Sequence, residues 1–134
     1  PTVVGTRPAG GVAAAWATMQ FLGTAGYEQI ARDLMGFIDR YRAGIAGIEG
    51  LHILGQPHLS IVAFGAQDLD VFSVAERLSA KGWLPGLVQR PRAIHRMMSM
   101  LHEPSLEEYL ADVRASVAAV RAQASAPSKL QATY

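Results

Sequence analysis

Hydrophobic positions recur every three or four residues from Ile30 through Leu34, Phe37, Ile38 and Tyr41 to Ile45, with Asp33, Arg40 and Arg42 on other faces. That period predicts an amphipathic helix from about Tyr27 to Ala46, ended by Gly47 and Gly50. An earlier helix is expected to begin at Pro8, since proline in a first turn sacrifices no hydrogen bond, with Thr6 near the cap. Gly23 to Gly26 separates the two. Gly10 and Gly11 are costly so early in a helix, by about 1 kcal/mol each relative to alanine. They fit either close packing against a neighbouring element or close approach of a ligand.

The period then changes. Leu51–Leu54 alternates, and Leu59–Gly65 (LSIVAFG) is apolar at successive positions, as expected of a strand covered on both sides. Gln56-Pro57 suits the hairpin turn between them. Asp70 is placed to cap a helix running to Lys81, with Val71, Val74, Ala75 and Leu78 inward and Gly82 ending it. Trp83–Gln89 and Ala93–Met100 read as two more strands, Pro85 marking the former as an edge or bulge. Ser105 opens the last helix with Glu108 three residues on, a capping box, and Leu106, Tyr109, Leu110, Val113, Val117 and Val120 form its apolar stripe. The order α-α-β-β-α-β-β-α predicts an α+β fold: a small, mostly antiparallel sheet covered by helices. Three regions follow: residues 1–24, a motif segment and first helix; residues 25–124, the α+β domain; and residues 125–134, a frayed tail.

Composition narrows the functional classes. The 134 residues are 50% hydrophobic and 17% charged, which excludes a disordered tail or coiled coil. Lys+Arg 12 against Asp+Glu 11 gives +1, and the basic residues are scattered, so no nucleic-acid partner is expected. No cysteine is present, hence no disulfide framework. The apolar run Val12–Leu22 is too short for a bilayer core of about 30 Å and lacks the flanks of a secretory signal, so no membrane span and a cytoplasmic location are expected. Pro1 stands where an initiator methionine would, which suggests a piece of a longer polypeptide.

Little of the residue chemistry is diagnostic alone. His52, His58, His95 and His102 form no ligand-spaced pair with a carboxylate, so no metal is expected, and neither a nucleophile elbow nor a phosphate loop of the G-x-x-x-x-G-K type occurs. Glu107 and Glu108 suit a helix start. The segment at Thr6-Arg7-Pro8 is richer: a hydroxyl, a cation and the free N–H groups of a helix start together favour an anion, phosphate above all. A plain helix cap with a surface arginine fits the same spacing.

Gly5-Thr6-Arg7-Pro8-Ala9-Gly10-Gly11 resembles the S/T-R-P-x-G motif of the pyridoxal-phosphate-dependent group II decarboxylase family, and the continuation is similar to its sphingosine-1-phosphate lyase branch. Trp16-Ala17-Thr18-Met19, Gly26-Tyr27, Pro57-His58-Leu59-Ser60, Asp68, Asp70, Ala80-Lys81-Gly82-Trp83, Ile94-His95 and Leu101-His102 carry the resemblance across residues 3 to 123. It implies the C-terminal domain of a fold-type I enzyme that binds pyridoxal 5'-phosphate and works as a homodimer, and it explains Gly10 and Gly11 as a close subunit approach. Thr6, helped by the Gly5 backbone, would then donate to the cofactor phosphate of the neighbouring subunit. The strand Ala93–Met100 would face the substrate, with His95 and Arg96 as candidates. Alternation puts these two on opposite faces, so at most one points inward, and as ordinary strand residues His95 would be half-buried and Arg96 solvated.

Such enzymes hold the cofactor as a Schiff base on a lysine. Only Lys81, in the last turn of a helix, and Lys129, in the tail, are available. Neither suits that role, so no catalytic residue is expected in this chain and the chain alone is expected to be inactive. The parent enzyme would cleave a carbon–carbon bond of a phosphorylated long-chain amino alcohol. The alternatives are an amino-acid decarboxylase like glutamate decarboxylase, or a non-catalytic dimerisation domain. Val12, Trp16 and Met19 are the surface expected to self-associate.

Overall fold

The structure, a computed structural model, describes residue 5 and residues 8–122. It divides into two compact units, Pro1–Asp33 and Leu34–Tyr134. Helix α1 (Gly10–Ala46) is interrupted at Gly23, whose φ of 58° and ψ of −176° lie in a region open essentially to glycine. The expected break therefore occupies one residue, and Gly26 is helical rather than part of it.

In the first unit, α1 carries Val12, Trp16, Met19 and Phe21 on its exposed surface, Phe21 at 88% exposure. No atom lies within 4 Å of a side chain built at Gly10 or Gly11. Ile30, read above as part of the buried stripe, is exposed. The periodic pattern was sound in its spacing, but burial within this chain begins only with the second unit.

The second unit is built on a four-stranded sheet of order β1-β2-β4-β3, with β1 (Leu51–Ile53), β2 (Ile61–Ala66), β3 (Gly86–Val88) and β4 (Ala93–Met97). Every neighbouring pair is antiparallel, in agreement with the expected α+β class. The period of two sends Val62, Phe64 and Ile94 into one core with Phe37, Ile38, Tyr41 and Ile45 of α1. Helix α2 (Val71–Ala80) adds Phe72, Val74, Ala75 and Leu78, and α3 (Leu106–Ala122) adds Tyr109, Leu110, Val113 and Val117.

The second face of β2 is covered only in part, Gly65 being buried and Ala63 half-buried. Ile61 is 56% exposed and Leu59, in the connection before β2, is 73% exposed. Gln56-Pro57 belongs to this longer connection between β1 and β2, not to a tight turn.

Asp70 caps α2 as its position predicted. Its carboxylate accepts from the Phe72 N–H at 3.3 Å, the Ser73 hydroxyl at 3.0 Å and the Arg92 guanidinium at 2.7 Å. The Arg92 guanidinium also lies 3.9 Å over the Phe72 ring, tying the turn before β4 to the start of α2. The entry to α3 differs from expectation. A 3-10 segment, Met100–Ser105, runs directly into the helix, so Ser105 is not its cap; its hydroxyl donates to the His102 carbonyl at 3.0 Å. The capping box lies earlier, between Ser99 and His102. A histidine in the glutamate's place hid it from motif reading.

Replacing Phe64, fully buried at the sheet centre, by alanine should lower stability by about 3–5 kcal/mol. Ile61→Ala, one strand position from the exposed edge of the same pattern, should cost far less. Denaturant midpoints of the two variants check the burial assignment.

Candidate functional site

The segment after α2 and the outer edge of β4 enclose an open cleft of about 390 Å3. Its cause is a mismatch in strand length. β3 pairs with β4 only from Ala93 to His95, because Pro85 has no N–H to extend the ladder. Residues 82–85 therefore diverge from β4 beside Arg96 and Met97. Gly82, Trp83, Gly86, His95, Arg96 and His102 border the resulting space.

The expected alternation holds, yet both candidates reach the cleft, since it lies at a strand edge accessible from either face. His95 is half-buried, as read from the sequence, and its ring lies so close to Gly86 that a Cβ there would clash with it. Arg96 is not solvated as expected. It follows Ile94 onto the core face and places its guanidinium 4.3 Å over the Tyr109 ring and 5.5 Å from the Trp83 ring. Its Nη1 is buried.

The walls are held by a clamp that motif reading missed. The Trp83 indole N–H donates to Asp112 Oδ2 at 2.8 Å, and Lys81 pairs with the same carboxylate through Oδ1. Trp83 then meets Tyr109 edge to face, with centroids 5.0 Å apart and planes at 80°. Bonds from Lys81 and Trp83 hold the Asp112 carboxyl below the usual carboxylate range. Asp112 gave no sequence signal because its partners are about thirty residues away. His102 is fixed as well: its Nδ1 lies 3.0 Å from the Ser99 backbone nitrogen, which donates to it, and 3.3 Å from the Ser99 hydroxyl.

Of the other candidates, Gly5 is exposed with open space around it, while Thr6 and Arg7 lie outside the described residues. Among the described residues no three His, Cys, Asp or Glu side chains gather as a metal site, and no helix is long and apolar enough to cross a membrane.

Structural comparison defines the class first: the neighbours are fold-type I pyridoxal-phosphate enzymes, and the sheet with its packed helices is consistent with their C-terminal domain. The sphingosine-1-phosphate lyase of Burkholderia pseudomallei matches with a TM-score of 0.83 at 27% identity, over 91% of this chain and 28% of that one. Glutamate decarboxylase of Lactobacillus brevis, at 12% identity, shares the fold with a TM-score of 0.73 over 92% of this chain and 31% of its own. In sequence, sphingosine-1-phosphate lyase of Arabidopsis thaliana is 40% identical over 122 residues, 91% of this chain and 22% of the plant protein. No protein-family model matches. The chain thus resembles part of the sphingosine-1-phosphate lyases that it matches. It spans about a fifth of the length of the curated lyases it matches.

Lys81, the lysine among the described residues, is paired with Asp112 at the end of α2. The guanidinium of Arg96 and the oriented imidazole of His102 equip the cleft instead for an anionic group.

Because its folded-state value is depressed, Asp112 contributes stability that is complete above the ordinary aspartate pKa and is lost as pH falls through the lowered value. Asp112→Asn should therefore be less stable than the parent chain near neutral pH, and the gap should close under acid. Thermal unfolding of both proteins across that range checks the sign.

Proposed function

We propose that this chain is the C-terminal region of a homodimeric, cytoplasmic, pyridoxal-phosphate-dependent lyase that cleaves a carbon–carbon bond in phosphorylated long-chain amino alcohols. One observation carries this reading. Gly82, Trp83, His95 and His102, from three of the separated segments that resemble the lyase branch, border a single cleft with a cation at its wall. The 40% identity to a plant lyase across almost the whole chain supports it.

In the whole enzyme the cofactor supplies the electron sink and another part of the polypeptide supplies its lysine. This chain contributes binding and orientation. Gly5 and Thr6 would meet the cofactor phosphate of the neighbouring subunit through backbone and hydroxyl donors. Arg96, seated over the Tyr109 ring, presents positive charge to a phosphate or carboxylate in the cleft that His102 also lines. The apolar residues Val12, Trp16 and Met19, all more than half exposed, would pack in the subunit interface.

Arg96 also suits the second reading, an amino-acid decarboxylase, because a guanidinium binds carboxylate as readily as phosphate. Products separate the two. The full-length enzyme should release a long-chain aldehyde from a phosphorylated sphingoid base; carbon dioxide from amino acids without aldehyde would overturn the lyase assignment. The 134-residue chain itself, mixed with pyridoxal phosphate and desalted, should retain none of the cofactor's absorbance. A retained stoichiometric band would refute the non-catalytic role assigned to Lys81.

A further inference from the structure

Gly86 borders the cleft from within a strand, where glycine costs backbone entropy and packs no side chain. Three circumstances call for glycine there: a left-handed backbone, a bulge, or the close approach of another group. The first does not hold, because Gly86 has no positive φ. The second fails as well: Gly86, Leu87 and Val88 face His95, Ile94 and Ala93 one to one. The third holds. A Cβ built on Gly86 would lie 2.4 Å from His95 Nε2, 2.7 Å from its Cε1 and 2.8 Å from its Cδ2. Non-bonded heavy atoms settle at about 3.5–4.0 Å, so that ring position and a side chain at 86 exclude each other.

His95 stands between two small neighbours, Ala63 of β2 on one side and Gly86 of β3 on the other. Side chains directly opposed across a ladder have Cβ atoms about 4.5–5.5 Å apart, so a ring that leans across takes the room of its partner's side chain. The alanine methyl fills part of that room; glycine leaves it empty, and the ring takes the β3 side. Gly86 and His95 border the cleft, and Ala63 does not. The direction of the lean therefore decides whether the imidazole belongs to the cleft wall. His52 and Gly65, opposed across β1 and β2, repeat the arrangement more loosely. A Cβ on Gly65 would lie 3.2 Å from His52 Cε1 and Nε2, and neither residue borders the cleft.

We propose that Gly86 is a positioning residue for His95: by carrying no side chain it seats the imidazole on the β3 side of β4, where it joins Arg96 in meeting an anionic group bound in the cleft. An imidazole seated in advance meets a ligand without first giving up rotamer freedom, a cost that otherwise weakens side-chain contacts. The role of His95 toward the anion rests on the cleft reading above. The seat does not, because it follows from the β3–β4 register and the distance of the ring from Gly86 whatever the ligand. The Gly86 backbone accepts an alanine, and the atoms its Cβ would strike are the far end of a side chain, so Gly86→Ala should move the ring and leave the strand in place.

The test combines Gly86→Ala, His95→Ala and the double variant of the 134-residue chain, with inorganic phosphate as the probe. In NMR spectra of the parent chain the His95 ring protons should show cross-peaks to the Gly86 α-protons. In Gly86→Ala the His95 ring resonances should move while those of His52 and His58 stay; missing cross-peaks or an unmoved ring would overturn the seat. Phosphate affinity, followed through the Arg96 side-chain resonances, should fall about ten-fold in Gly86→Ala and as far in His95→Ala, the scale of one hydrogen bond to a charged group. In the His95→Ala background Gly86→Ala should cost nothing further, because it acts through the imidazole. A loss that persists there would make Gly86 a merely structural residue and overturn the proposal, as would full affinity in Gly86→Ala. Gly65→Ala, the same change beside His52, should keep the parent affinity; an equal loss there would trace the effect to the sheet and not to the ring. If phosphate moves no cleft resonance of the parent chain, the anion reading of the cleft falls and the role of His95 with it, while the cross-peaks still decide the seat.

Discussion

The antiparallel pairing of β2 with β4 is the constraint on which the rest of the second unit depends. Its register, Val62 opposite Arg96 and Phe64 opposite Ile94, sends the strands' large apolar side chains to the helix-packed face. The same alternation forces Arg96 onto that face two residues after a fully buried isoleucine. A cation there would be prohibitive at the sheet centre. It is tolerated because β3 stops at Gly86, leaving Arg96 at the end of the paired region between aromatic rings and open space. The position of the cleft and the placing of its charge therefore have one origin.

A single carboxylate then stabilises the cleft wall. Asp112 on α3 binds both the indole N–H of Trp83 and the ammonium of Lys81, so the segment leaving α2 is fastened to α3 by charge-assisted bonds rather than by apolar contact alone. This attachment sets the edge-to-face packing of Trp83 on Tyr109 and, through Tyr109, the support under Arg96. It also decides the chemistry of Lys81. Lys81 is committed to a structural carboxylate, and the positive charge that remains for a ligand at the cleft is that of Arg96, which has no carboxylate partner among the described residues.

Much of the fold was legible from the sequence. The periods of 3.6 and 2, the Asp70 cap, the stop at Gly82 and the edge character that Pro85 imposes are local effects, and each is present in the structure. The departures have a common cause. Ile30, Ile61 and Leu59 looked like core residues, but hydrophobicity states only that a side chain favours burial, not that this chain covers it. The Ser105-Glu108 spacing was a plausible capping box that lost to a 3-10 segment capped by Ser99 and His102. At the site, His95 and Arg96 were identifiable as candidates, while Asp112 and Tyr109 were not. Their contribution comes from partners far away in sequence, and on α3 they read as ordinary members of a helical pattern.

By itself, then, the sequence determined the kinds of element, their order, the sheet's antiparallel character and a family resemblance spread over separated motifs, because these depend on backbone sterics, side-chain period and residue type. Only the tertiary structure decided that three of those motifs share one cleft, that two residues on opposite strand faces both border it, and that Arg96 is held by aromatic rings instead of solvent. The physical reason is that pairing register and the point where a strand ends are set by contacts across tens of residues. A one-residue difference in either would redirect every side chain at the site.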